Sequence, residues 1–149
     1  MVHKNFRRQR RLESRLDQTV RIASIVQKGI ATGRSSYVEM RSLDRLISHN
    51  IKAKVSEIKK SVRLSTELDE LLTKTLLHAV SDGYAKVLTP NGIVREKELE
   101  HLLSIDSDIV VCLGMIVDAE KTQKMRGLID VLRELIEERK KLVEGTLKA

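Results

Sequence analysis

Glu98 and His101 stand three residues apart, the Glu-x-x-His spacing with which helical bundles ligate a carboxylate-bridged metal pair. Such a centre also needs a second copy of the motif and two more carboxylates on facing helices, and the chain holds no second copy. His49 and His78 read as isolated histidines on helices. The stretch 29–35 faintly echoes a phosphate-cradling loop. It is one residue short, carries Arg34 where lysine is required, and follows a helix rather than a strand. Cys112, the only cysteine, lies between Val111 and Leu113, where a buried, inert thiol is expected and no disulfide can form. No nucleophile, base or metal set converges. The expectation is a protein that is not an enzyme and uses no cofactor or metal.

The residues with most chemistry to offer are cations. The 149 residues carry 28 Lys and Arg against 21 Asp and Glu, a net charge of +7. The sign is unevenly spread: residues 1–63 hold 16 basic against 5 acidic side chains, a balance of +11, and residues 64–149 hold 12 against 16, a balance of −4. An asymmetry of this size points to a polyanionic partner, or to another copy of the chain meeting it head to tail. Placement adds to the point. Arg7, Arg10, Ser14, Asp17, Arg21, Ser24 and Lys28 recur at spacings of three and four, as do Arg41, Arg45, Ser48 and Lys52, with Lys59 and Arg63 further along. Serines between basic residues add short donors for phosphate oxygens. The candidate contacts are Arg7, Arg8, Arg10, Arg11, Arg15, Arg21, Arg41, Arg45 and Lys52.

Single-strand recognition relies on aromatic stacking, and the only aromatics are Phe6, Tyr37 and Tyr84. Backbone contact with duplex DNA or structured RNA, with little sequence specificity, fits the residues better. The alternative is a protein–protein assembly or adaptor subunit, docking on an acidic protein surface or on further copies of itself. A membrane surface fits less well, because the basic helix lacks a bulky apolar face. No apolar stretch follows the basic start, and the longest apolar run, 109–117, is far short of the roughly 20 residues of a spanning helix. A cytoplasmic protein is expected.

The elements that must position these residues are helices. With 41% hydrophobic and 2% aromatic residues, seven glycines and one proline, the core has to be built from Leu, Ile and Val on helical faces. Leu12, Leu16, Thr19, Ala23, Val26 and Ile30 form the seam of a first helix over 4–31, ended by Gly33. Ser36 followed by Glu39 reads as the capping box of a second, striped by Leu43, Ile47, Ile51, Val55, Ile58 and Val62. Ser65 or Thr66 caps a third, with Leu68, Leu71, Leu72, Leu76 and Val80. A short helix bearing Leu99, Leu102 and Leu103 is expected to break at 104–108. A final segment then runs from Asp108 to about Glu144, as one helix or as two joined near Asp118. On it Glu134, Glu137, Glu138, Arg139, Lys140 and Lys141 read as an ordinary charged surface. The fold expected is all-α: an elongated antiparallel bundle of about five helices led by a long two-helix hairpin, one domain over 1–149 with a basic hairpin over 1–63 and an acidic-leaning remainder over 64–149.

Thr89-Pro90-Asn91-Gly92 is a strong turn signal. Lys86-Val87-Leu88 and Ile93-Val94-Arg95 could pair across it. Leu88-Thr89-Pro90 with Gly92 resembles, over fewer than ten residues, the wing edge of MarR- and PadR-type winged-helix regulators. That resemblance implies a wing hairpin beside a basic recognition helix, whereas the third helix is led by Glu67, Asp69 and Glu70. A plain turn between helices is the reading taken.

Overall fold

A computed structural model describes residues 36–119 and 124–148. These form four helices, and no strand occurs among them. The first arm of the expected hairpin, over 4–31, lies outside the described residues, as does the stretch 29–35.

Helix α1, Ser36–Ser61, buries Met40, Leu43, Ile47, Ile51, Val55 and Ile58, with Val62 buried just beyond it. Their spacing of three and four makes one apolar face. Lys59 and Lys60 in its last turn suit the negative end of the helix dipole. The chain then turns, and Ser65 takes up extended backbone while its Oγ accepts the Leu68 amide at 3.2 Å, capping the next helix. Helix α2 spans 66–79. It comprises an α-helical start, Thr66–Glu70, a wider π-helical stretch, Leu71–Leu76, and a last turn, Leu77–Ala79. Leu68, Leu71, Leu72 and Leu76 all point into the core.

A compact connection follows. Gly83 leads into a 3-10 turn, Ala85–Val87, and Leu88 then bridges Val94 antiparallel. The Thr89 amide donates to the Ile93 carbonyl at 2.8 Å and the Arg95 amide to Val87 at 3.2 Å. At the tip Gly92 has φ +79°, which glycine adopts at little cost. The plain turn is therefore a small hairpin held by one bridge. The helix before it, α2, remains acid-led, so the likeness to a winged helix stays confined to the turn.

Helix α3, Glu96–Ala119, is unbroken, and the break expected at 104–108 does not occur. Ile105 and Asp106 are both buried inside it. The polar run Ser104-Ile105-Asp106-Ser107-Asp108 interrupts hydrophobicity but not the helix, because Asp106 turns inward to a partner. Helix α4, Met125–Lys148, is separate from it, so the final segment is two helices with their junction just past Asp118. Helix α3 packs against both α1 and α4, and the 3-10 turn touches both as well. The core joins all of these elements through residues such as Leu72, Val87, Leu102, Leu113, Ile116 and Leu132.

Candidate functional site

Three of the nine candidate contacts, Arg41, Arg45 and Lys52, lie on α1, and each is exposed. Arg7, Arg8, Arg10, Arg11, Arg15 and Arg21 lie outside the described residues. At 100° per residue, Arg41, Arg45, Lys52 and Lys59 fall within a narrow sector of α1, roughly 110° from the centre of its buried face. They form a lane about 27 Å long at 1.5 Å per residue. Among the described residues Arg45 donates to the Ser42 hydroxyl alone, at 3.5 Å. No ion pair engages Arg41, Arg45, Lys52 or Lys59 among the described residues. Two carboxylates of the same helix are committed elsewhere: Glu57 to Lys54 at 3.1 Å, and Asp44 to the backbone described next. Ser48, expected to stand between the arginines as a phosphate donor, is instead buried. Its position on the wheel falls between the lane and the core face.

Behind this lane sits a polar cluster that the apolar stripes did not reveal. Asp44 Oδ1 accepts the Tyr84 amide at 2.8 Å and Oδ2 the Ala85 amide at 3.1 Å. The Tyr84 hydroxyl donates to Asp106 Oδ2 at 2.6 Å. Arg139 donates from Nε to Asp106 Oδ1 at 2.7 Å and from Nη2 to Oδ2 at 3.1 Å. Its Nη1 serves the carbonyls of Ala79 and Asp82 at 2.7 and 2.8 Å. Arg139 is therefore no part of the charged surface of α4; only 1% of it is exposed. Gly83 leaves room for it, since a Cβ there would stand 2.9 Å from Arg139 Nη1.

Burial works against the Arg139 charge, yet Asp106, helped by Tyr84 and Asp44, offsets it and holds the guanidinium protonated above its ordinary range. Burial, reinforced by Asp106, pushes the Tyr84 phenol well above its ordinary value. Burial likewise raises Asp44, although the two amides and Arg139 pull the other way. With every member paired and shut away from solvent, the cluster is a clasp that fixes the connection 80–87 to α1, α3 and α4. It offers no open position for a substrate.

The other candidates resolve simply. His101 is exposed and meets Glu138 at 3.0 Å. Among the described residues no group of three His, Cys, Asp or Glu could hold a metal ion. Cys112 is buried, its thiol directed at the Leu128 carbonyl at 3.4 Å and pushed up to about 12 by burial. A shallow groove of about 280 Å³ runs between α2 and α4, over Leu71 and Ile136, with Glu67, Glu70, Arg133, Glu137 and Lys140 at its edges. Glu67 closes one side by pairing with Arg126 and Arg133, which hold its carboxyl below the ordinary range. Among the described residues, no helix is long and apolar enough to cross a membrane.

The chain matches no protein-family model, no curated protein and no solved structure.

Proposed function

We propose that the protein is a non-enzymatic helical module that grips a nucleic-acid backbone, duplex DNA or structured RNA, with little sequence specificity. The contacts are Arg41, Arg45 and Lys52 together with Arg7, Arg8, Arg10, Arg11, Arg15 and Arg21. The observation that carries this reading is the lane on α1: exposed cations in one narrow sector, without carboxylate partners among the described residues. A row of unneutralised charge on a rigid helix suits phosphates, whose condensed counterions are released on contact. The scarcity of aromatic side chains favours duplex over single strands.

A fluorescence-anisotropy titration of random duplex and random single strand across a salt series tests it. Log affinity should fall linearly with log salt, equally for unrelated duplexes. Reversing Arg41, Arg45 and Lys52 to Glu should flatten the slope by about 3, at roughly 0.9 for each phosphate that is no longer neutralised. Equal binding at all salt concentrations, or no binding, would remove the reading. A second reading, an assembly or adaptor subunit, draws on Tyr37 and Val38, neighbours at the start of α1 that are 60% and 58% exposed. Exposed apolar side chains placed together suit another protein better than phosphate.

A further inference from the structure

The cationic lane of α1 has a counterpart on α4. Arg45, Lys52 and Lys59 recur every seven residues, and so do Asp130, Glu137 and Glu144; all six are exposed. Seven residues make almost two helical turns, so each trio lies along one lane with steps of about 10.5 Å. Equal steps let every charge of one lane meet an opposite charge of the other when two such helices lie side by side. Flanking charges of coiled coils select partners by this same seven-residue repeat. Within one molecule the lanes do not meet: no ion pair joins α1 to α4 among the described residues. On its own helix Asp130 forms long ion pairs, 3.9 Å to Arg126 and 4.0 Å to Arg133, and a second copy would have to compete with these.

We infer that the partner fitting the α4 lane is a second copy of this chain, which presents its Arg45, Lys52 and Lys59 to Asp130, Glu137 and Glu144. Each copy carries both halves of the contact, and the contact occupies the lane assigned above to a polyanion. Nucleic acid and a second copy then compete for α1. The pairing itself does not rest on the nucleic-acid reading, because it forms from protein alone.

Sedimentation velocity of the full chain tests it. At about 0.01 M ionic strength, where the Debye length is about 30 Å, the mean mass should exceed that of a monomer; at about 1 M, where it is about 3 Å, only monomer should remain. Reversing Arg45, Lys52 and Lys59 to Glu should abolish association, as should reversing Asp130, Glu137 and Glu144 to Lys. An equimolar mixture of these two variants should associate again, which misfolded variants would not do. A monomer at low ionic strength, association that persists at about 1 M, or a mixture that stays monomeric would overturn the inference. The neutral variant Asp130→Asn, Glu137→Gln, Glu144→Gln separates the two proposals. It should lose self-association, and its binding to random duplex reports on the nucleic-acid reading alone.

Discussion

Replacing Asp106 with Ala should be among the costliest single changes in the molecule. The Arg139 and Asp106 side chains are 2% and 0% exposed, so the guanidinium cannot turn to water when its carboxylate is removed. It would keep the carbonyls of Ala79 and Asp82, but neither carries a compensating charge, and the Tyr84 hydroxyl would lose its acceptor as well. Breaking a buried pair in this way costs about 3–5 kcal/mol. A domain has roughly 5–15 kcal/mol in total. At about 2–4 °C per kcal/mol for a chain of this size, the midpoint should fall by roughly 6–20 °C. Urea denaturation followed by far-UV circular dichroism at neutral pH measures the cost directly. The double variant Asp106→Leu, Arg139→Met is the control: with both charges gone and similar volume kept, most of the loss should return. A single-variant cost below about 1 kcal/mol, the range of exposed pairs, would show that water reaches the cluster and that the clasp does not organise the fold.

Cys112, with its thiol raised to about 12 by burial, should be silent toward thiol reagents in the native protein at pH 7–8 and react only through global opening. Labelling that stays fast without denaturant would contradict that burial. For Asp44 the sign runs against the usual acid trend. Burial raises its folded pKa above the unfolded one, so the folded state takes up its proton first and the stability tied to this group grows as pH falls through the raised value. The stability difference between wild type and Asp44→Asn, measured by urea titration from about pH 7 to about pH 4, should therefore shift in favour of wild type on acidification. A difference independent of pH would remove the ionisation of Asp44 from the account.

Much of the helical framework was legible because Leu, Ile and Val mark one face at a time. The stripe of α1 from Leu43 to Val62 and that of α2 from Leu68 to Val80 are buried as their spacing implies, and Ser65 caps α2. What misled was polarity at core register. Asp106 continues the row Leu99, Leu102, Leu103 and precedes Ile109, Val110 and Leu113; Arg139 stands between Ile136 and Val143 in the same way. By hydropathy alone the first reads as a helix break and the second as surface charge. The available signal was a carboxylate and a guanidinium, each where an apolar residue belongs, on two helices able to face each other. Opposite charges in such positions neutralise each other's burial cost. The amides that Asp44 would find gave no comparable signal, since they belong to a turn some 40 residues away whose path depends on the whole fold.

That turn also explains how α1 comes to carry so bare a cationic lane. On an isolated helix Asp44 would pair with Arg41, three residues before it, as oppositely charged neighbours at that spacing do. In the folded chain Asp44 is 1% exposed and both its oxygens are taken by the amides of Tyr84 and Ala85. Tyr84 is in turn fixed by Asp106, and Asp106 by Arg139. The clasp thus withdraws from α1 the carboxylate best placed to neutralise Arg41 by local pairing. The lane's charge is then a product of tertiary structure as much as of composition. A variant that loosens the clasp without unfolding the chain, such as Arg139→Lys, should free Asp44 to pair with Arg41. Duplex affinity would then weaken although no lane residue has changed. Unchanged affinity and salt slope in a folded Arg139→Lys protein would show that the two parts of α1 act independently.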